Sequence, residues 1–147
     1  MSIRIDYKAV LPEGYRAMAG LSRFVAETGL DKALIHLVKL RVSQINGCAY
    51  CCWLHCKELR EMGEVEVRLD CLPAWREAPY YGARERAALA WAEAVTLISE
   101  THAPDDVYAQ ARAQFGEKEL VALTYLIVEI NAWNRLAVPF RQAPPVS

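Results

Sequence analysis

Apolar residues recur at intervals of three and four along every long segment of the chain, which is the period of an amphipathic α-helix. Gly and Pro, seven of each, stand mostly between these segments. Alternating runs rich in Val, Ile and Thr, the pattern of a half-buried strand, are hard to find. The pattern therefore predicts an all-α fold of about seven helices and no sheet.

The predicted helices begin and end at recognisable signals. Asp31 is placed to cap the second helix, Asn46 and Gly47 to end it, and a third helix starts at about Cys48. An extended lead precedes Pro12, Pro139 limits the last helix, and the segment from Pro73 to Gly82 reads as an ordered loop. The seven predicted segments cover residues 12–29, 31–46, 48–63, 64–72, 83–100, 104–116 and 117–139.

Apolar residues surround the last predicted helix almost completely between Val121 and Ile130. Such a helix is buried either at the centre of its domain or in a subunit contact. Because 147 residues offer limited interior in which to hide it, the sequence predicts a homo-oligomer. The longest apolar run, Leu120 to Val128, is interrupted by Thr124 and is far shorter than the about 20 residues of a membrane span, so no membrane partner is expected.

The amino-acid composition and charge restrict the kinds of protein and partner that fit the chain. Hydrophobic residues make up 54% of the chain and charged residues 24%, which fits a single globular domain over residues 1–147. The net charge is −1 without a basic block, so no nucleic-acid partner is expected. The first residues lack the apolar core of a secretory signal, and a cytoplasmic location is expected by default.

Four of the five cysteines fall within nine residues, and only Cys71 stands elsewhere. A disulfide framework would spread its cysteines along the chain, whereas an odd number in one stretch favours redox or metal chemistry. The clustered cysteines are Cys48, Cys51, Cys52 and Cys56.

Cys48, Cys51 and His55 form a C-x2-C-x3-H motif directly after the break at Gly47. On a helix these positions share one face, with side-chain origins about 5–6 Å apart, which suits a disulfide between the two cysteines. Free N–H groups and the helix dipole at a helix N-terminus lower cysteine pKa values to about 3.5–7.5. His55, one turn beyond Cys51, can exchange a proton with it. Such a pair is the minimum needed to reduce a peroxide through a sulfenic acid and a disulfide.

Plainer interpretations compete with this one. Cys52, Cys56 and Cys71 fit simple packing as small apolar residues. A zinc site needs four ligands, and the chain has no second ligand pair, so zinc would have to recruit Cys71, His36 or His102. His102 fits a surface loop. We therefore expect neither a metal nor an organic cofactor.

The string from Leu37 to Cys51, followed by His55, resembles the AhpD-like alkylhydroperoxidase branch of the carboxymuconolactone decarboxylase superfamily. The likeness extends over roughly residues 30–141. Its further landmarks are Trp75-Arg76-Glu77-Ala78-Pro79, the stretch from Glu85 to Glu93, and Ile130-Asn131-Ala132-Trp133-Asn134-Arg135-Leu136. We interpret Trp91 and Trp133 as core or interface anchors and assign no catalysis to Asn131, Asn134 or Arg135.

The resemblance implies an all-α protomer that assembles into trimers or hexamers, and a thiol-dependent reduction of small-molecule peroxides. Cys51 matches the peroxide-attacking cysteine and Cys48 its partner thiol. His55 matches the relay histidine. A dithiol or protein disulfide reductant would recharge the pair. We expect Cys48, at the edge of the helix, to be the more exposed thiol and to meet that reductant.

One position departs from the family. The relatives often carry a glutamate twelve residues before the first motif cysteine, where this chain has His36. A neutral imidazole can still accept a proton near pH 7, so His36 is a candidate catalytic residue, although a hydrogen-bonded core histidine fits equally well. Tyr50, where some relatives carry another histidine, either alters the relay or packs over the thiols.

Three functions fit these features of the sequence. The first is a thiol-dependent peroxidase that reduces alkyl or hydrogen peroxides at Cys51, with resolution by Cys48 and a proton relay through His55 and His36. The second is decarboxylation of a muconolactone-like acid, which would leave the thiols unexplained. The third is a nonenzymatic oligomeric or metal-binding module in which the cysteines only pack or ligate.

Overall fold

The computed structural model describes residues 1–146, and within them the chain is helical without a strand, which confirms the predicted all-α class. The helices are α1 (Tyr7–Val10), α2 (Pro12–Ala26), α3 (Lys32–Asn46), α4 (Ala49–Glu61), α5 (Glu66–Asp70), a 3₁₀ helix (Leu72–Ala74), α6 (Ala83–Thr96), α7 (Ile98–Thr101), α8 (Asp105–Gln114) and α9 (Glu117–Phe140).

Two short helices raise the number of α-helices in residues 1–146 to nine. Helix α1 lies in the lead predicted to be extended, because the Asp6 carboxylate accepts the N–H groups of Lys8 and Ala9 and caps it. The segment predicted as one helix over 83–100 breaks at Leu97, whose backbone leaves helical geometry (φ −96°, ψ 37°). The hydroxyl of Thr101 donates to the Ala94 carbonyl at this break, at 2.6 Å.

Helix α9 runs through Pro139, which the sequence predicts to limit it, and ends at Phe140. The proline costs only one hydrogen bond in the last turn, where the helix is about to end, so the turn persists. Arg141 then adopts a left-handed conformation (φ 56°). Although α9 has 24 residues, neither it nor another helix in residues 1–146 is long and apolar enough to cross a membrane.

Helices α3 and α9 hold the centre of the molecule. Helix α3 packs against α4, α6 and α9, and α9 also packs against α2. One core cluster lies among α2, α3, the first turn of α4, α6, α8 and α9 and includes Val38, Leu123 and Ile127. A second lies among α3, α4, the 3₁₀ helix and α6 and includes Leu40, Leu59 and Leu72. Helix α4 therefore has one face toward each cluster.

The turn between α3 and α4 sets the position of the first motif cysteine. Gly47 adopts a left-handed conformation (φ 69°), which glycine tolerates without a steric penalty, and the Cys48 N–H then donates to the Ser43 carbonyl at 3.0 Å. The Asn46 amide donates to the side-chain oxygens of Asn131 and Asn134 on α9, at 3.0 and 2.9 Å. These two asparagines thus hold the turn in place.

Candidate active site

The two motif cysteines lie at the start of α4 and are joined by a disulfide. Cys48 is the N-cap residue, and its Cα lies 5.3 Å from that of Cys51 in the first turn. The Cys51 N–H points at the Cys48 sulfur, 3.3 Å away. Because the helix N-terminus favours negative charge, this location stabilises a thiolate once the disulfide is reduced.

The expectation that Cys48 is the more exposed thiol is wrong. Cys48 is 1% exposed and Cys51 4%, and both belong to the first core cluster. The turn at Gly47 folds Cys48 back toward the end of α3, where its N–H bonds to Ser43. Cys51 lines a cavity, whereas Cys48 does not. A small molecule in the cavity therefore meets Cys51 first.

Two histidines and a glutamate converge beside Cys51. The Nδ1 atoms of His36, from α3, and His55, from α4, each lie 2.8 Å from the same carboxylate oxygen, Oε2 of Glu58. The two Nδ1 atoms are 3.4 Å apart. His36, His55 and Glu58 line the cavity together with Cys51. The structure therefore brings the predicted residues Cys48, Cys51, His55 and His36 into one site.

The charges in this cluster follow from its hydrogen bonds and its burial. Burial acts to raise the pKa of Glu58, but the hydrogen bonds from His36 and His55 outweigh it and hold that pKa well below its usual value. Burial lowers the pKa of His55, with Glu58 opposing. Glu58 is thus ionised and His55 neutral at pH 7. With Nδ1–H donated to Glu58, Nε2 of His55 remains free to act as a base.

Glu58 was not identified from the sequence, although a signal was present. His55 and Glu58 are separated by three positions, a spacing that places their side chains together on a helix. Glu58 also reaches position 36, where the resemblance leads us to expect a glutamate. A carboxylate from α4 lies beside this position, and His36 is its second hydrogen-bond donor.

A second polar group lies in the cavity wall and was also missed from the sequence. Glu129, 1% exposed, accepts hydrogen bonds at Oε1 from Ser22 (2.6 Å), Trp133 (3.1 Å) and Lys39 (3.2 Å). Its Oε2 has no hydrogen-bond partner among residues 1–146. Trp133, interpreted as a core or interface anchor, therefore also forms part of the cavity wall.

The cavity has a volume of about 300 Å³, which suits a small molecule. Four aromatic side chains line it beside the polar groups: Tyr7, Tyr15, Tyr50 and Trp133. Tyr50 therefore lies over the same cavity as Cys51, in agreement with the interpretation that it packs by the thiols. The site combines a disulfide-bonded pair of cysteines, a neutral imidazole held by a carboxylate, and an aromatic pocket.

Comparison with known proteins places this arrangement in a family. The sequence pattern of the carboxymuconolactone decarboxylase family matches residues 12–94. The uncharacterized protein YdfG of Bacillus subtilis is 38% identical over 138 residues, 94% of each chain. The chain belongs to the carboxymuconolactone decarboxylase family. The matched region contains all three elements of the motif, Cys48, Cys51 and His55.

Solved structures show that this member of the family has the AhpD-like fold. A protein of unknown function from Agrobacterium tumefaciens, for which a role as an antioxidant defence protein AhpD has been suggested, superposes with a TM-score of 0.97. It is 46% identical and covers 99% of this chain and 100% of its own. The debrominase Bmp8 shares the fold at 16% identity, with a TM-score of 0.79 over 92% of this chain and 73% of its own.

Proposed function

We propose that the protein is a thiol-dependent peroxidase that reduces alkyl or hydrogen peroxides. The observation that carries this proposal is the disulfide between Cys48 and Cys51, of which only Cys51 opens onto a cavity that also contains His55. The AhpD role suggested for the Agrobacterium relative agrees with it. The reaction needs no metal or organic cofactor.

The first step is attack of the Cys51 thiolate on the peroxide. The thiol proton passes to Nε2 of neutral His55, a sulfur–oxygen bond forms as the O–O bond breaks, and Cys51 becomes a sulfenic acid. The same proton, returned by His55, leaves with the alkoxide as an alcohol or, for hydrogen peroxide, as water. Glu58 keeps its hydrogen bond to Nδ1 throughout and stabilises the imidazolium that forms transiently.

The second step closes the disulfide. Cys48, 5.3 Å from Cys51 between Cα atoms, attacks the sulfenic sulfur, and the hydroxyl leaves as water with the proton of the Cys48 thiol. An external dithiol or protein disulfide reductant then returns two electrons and two protons. Because both sulfurs are buried, we expect this reductant either to enter through the cavity at Cys51 or to require opening of the α3–α4 turn at Cys48.

A thiol-coupled peroxidase assay of the wild type beside Cys51→Ser and Cys48→Ser tests the proposal. We expect Cys51→Ser to consume no peroxide. We expect Cys48→Ser to stop after one oxidation, with a sulfenic acid on Cys51 that dimedone traps and mass spectrometry locates. Cys56→Ser is the matched control, because Cys56 lies on the same helix, just over one turn beyond Cys51, and packs against the second core cluster.

Other outcomes would favour the alternatives. A dimedone adduct on Cys48 in Cys51→Ser would reverse the roles of the thiols. If neither serine variant loses activity, the peroxidase proposal fails, and the thiols are structural. Turnover of a muconolactone-like acid that survives both substitutions would instead identify a decarboxylase.

We further propose that the protein is a homo-oligomer, a trimer or hexamer as the family resemblance implies. Three apolar side chains on one face of α9 support this, since Val121, Tyr125 and Val128 are each about half exposed in the single chain. Exposed apolar residues grouped on one face favour a protein contact. Light scattering at micromolar concentration is expected to give a multiple of 16.6 kDa, and a stable mass of one chain would contradict the proposal.

A further inference from the structure

Three metal-ligating atoms converge beside Cys51. They are Nδ1 of His36, Nδ1 of His55 and Oε2 of Glu58, and they belong to two different helices, α3 and α4. All three atoms lie within 4.8 Å of one another. Imidazole nitrogen and carboxylate oxygen are common ligands of zinc, and three protein ligands with one open position are typical of reactive zinc sites.

The spacing of the nitrogens matches tetrahedral coordination. Two imidazole nitrogens bound at about 2.0–2.1 Å to one tetrahedral zinc lie about 3.3–3.4 Å apart. The two Nδ1 atoms are 3.4 Å apart. The carboxylate oxygen, 2.8 Å from each nitrogen, would have to retreat by about half an ångström to reach the same tetrahedral spacing. The Glu58 side chain is about one-third exposed, so it has room for this movement.

We propose that His36, His55 and Glu58 bind a divalent transition metal of the zinc class, and that the thiolate of reduced Cys51 completes the site. Cys51 precedes His55 by one helical turn and lines the same cavity. In the disulfide the sulfur of Cys51 carries no negative charge and is a poor ligand. Reduction therefore converts a site of three ligands into a site of four.

Charge balance makes metal binding depend on whether Cys48 and Cys51 are reduced or joined in the disulfide. Zn²⁺ with the Glu58 carboxylate leaves one positive charge in a partly buried location, whereas the added thiolate makes the complex neutral. Binding to the reduced protein needs the thiolate form of Cys51, so a proton still carried by that thiol is displaced. Each imidazole must also move its proton from Nδ1 to Nε2. This removes both hydrogen bonds to Glu58 and the free Nε2 lone pair of His55.

The metal would therefore inhibit the reaction described under Proposed function, because it occupies the nucleophile and the base together. That consequence rests on the proposed function, but binding of the metal does not. The two are separated by measuring binding without peroxide. A protein that binds the metal but consumes no peroxide would support this site and reject the peroxidase.

The test uses the full chain, reduced with a phosphine and desalted under anaerobic conditions, beside the disulfide form. Zn²⁺ affinity is measured by competition with a chromogenic chelator, and Co²⁺ serves as a spectroscopic probe. We expect affinity at least about tenfold higher in the reduced form, with a thiolate-to-cobalt charge-transfer band only there. Cys51→Ser should abolish that band and lower the affinity of the reduced protein to that of the disulfide form.

Matched controls are present in the chain. His36→Gln and Glu58→Gln should each weaken Zn²⁺ binding by about tenfold or more, whereas His102→Asn should leave it unchanged. His102 is exposed and has a positive φ of 53°, which asparagine tolerates. A further measurement uses only the wild type, so its result does not depend on whether the variants fold. Zn²⁺ should slow alkylation of Cys51 by iodoacetamide, mapped by mass spectrometry, but not alkylation of Cys56.

Three results would overturn the inference. If His36→Gln and Glu58→Gln bind Zn²⁺ as tightly as the wild type, the metal is held by the thiols of Cys48 and Cys51 alone. If Zn²⁺ binds equally to both redox forms without a thiolate band, Cys51 is not a ligand. Unchanged alkylation of Cys51 at saturating Zn²⁺ would likewise exclude Cys51 as a ligand, without the use of any variant.

Discussion

Helix α4 carries cysteines of two kinds on its two faces. Cys48 and Cys51 lie in the first core cluster, and Cys51 borders the cavity with His55 and Glu58. Cys52 and Cys56 pack against the second core cluster, as does Cys71. Cys51 and Cys52 are adjacent in sequence, but successive helical residues point about 100° apart. The comparison shows that the helix face, more than the residue type, determines whether a thiol is placed for chemistry.

The electrostatic surroundings of the thiols also differ between the two faces of α4. Burial, with a smaller effect of Cys56, raises the pKa of Cys52 to about 11, and burial also raises the pKa of Cys56. At neither thiol does a neighbouring cation outweigh the effect of burial on the pKa. Cys48 and Cys51 instead lie at the positive end of α4, where the Cys51 N–H points at the Cys48 sulfur. We therefore expect thiolates only on the cavity side at neutral pH.

The largest expected contrast is in alkylation of the reduced protein. A thiol of pKa about 11 is ionised to about one part in 10,000 at pH 7, and iodoacetamide reacts with the thiolate. We expect Cys51 to be alkylated at least about 100-fold faster than Cys52. Quenched labelling with mass spectrometry measures both rates in one sample.

The pH dependence of the same experiment supplies its control. Because the thiolate fraction of Cys52 grows about tenfold per pH unit below its pKa, its alkylation should rise about 100-fold from pH 7 to pH 9. Cys51 should respond far less, because its position at the helix N-terminus favours the thiolate. Equal rates for the two cysteines at pH 7 would contradict the comparison.

Glu58→Gln tests whether the reactivity on the cavity side depends on the charged cluster or only on the position at the helix terminus. The amide can still accept a hydrogen bond from His55, but it provides no charge to stabilise the imidazolium. We expect kcat/KM for peroxide to fall by about tenfold to 100-fold, in line with the usual effect of weakening a general base.

The matched control for that variant is Glu61→Gln. Glu61 lies on the same helix, is exposed, and pairs with Lys57 at 3.7 Å. It should retain wild-type kcat/KM. Thermal unfolding of both variants should show intact helical protein, so that a loss of activity in Glu58→Gln reports on chemistry. A wild-type rate in Glu58→Gln would leave the helix terminus as the sole source of reactivity.

The all-α class and most helix boundaries could be predicted because they follow from local signals: apolar spacing, the Asp31 cap and the Gly47 stop. The short helix α1 could not, since its cap by Asp6 stabilises only one turn. The break at Leu97 also escaped prediction. The apolar pattern continues across it, and it is stabilised by the hydrogen bond from Thr101 to Ala94.

From residue spacing alone, the site was predictable only where its residues are close in sequence. The motif identified Cys48, Cys51 and His55, and the resemblance added His36. The spacing of His55 and Glu58 could have added the carboxylate. Nothing local indicates that Glu129, on α9, reaches Lys39 on α3, because that contact depends on how two distant helices pack. The burial of Cys48 likewise depends on packing against the first core cluster.

Leu59→Ala should lower stability and leave activity nearly unchanged, the reverse of what we expect for Glu58→Gln, although the two residues are neighbours. Leu59 is fully buried in the second core cluster, on the face of α4 away from the cavity. Its truncation should lower the free energy of unfolding by about 2–5 kcal/mol through lost burial and a residual cavity. The protein that remains folded should keep kcat/KM within about twofold.

Denaturant titration measures the first quantity, and the peroxidase assay at low temperature the second. Because the unfolded fraction lowers apparent activity, rates are normalised to the folded fraction from circular dichroism. A large loss of kcat/KM per folded molecule would mean that packing on the core face controls the cavity. The two faces of α4 would then not be independent.

The smallest expected effect is that of removing the three remaining cysteines together. Cys52, Cys56 and Cys71 are only partly buried and pack as small apolar side chains, so alanine at each removes a sulfur and little apolar area. We expect the triple alanine variant to lose about 1 kcal/mol of unfolding free energy per site or less and to keep kcat/KM within about twofold. After a cycle of oxidation and reduction it should form the same single disulfide between Cys48 and Cys51, identified by peptide mapping. If the variant instead turns over once and stops, one of the three thiols delivers electrons to the pair, and the region around the second core cluster takes part in the chemistry.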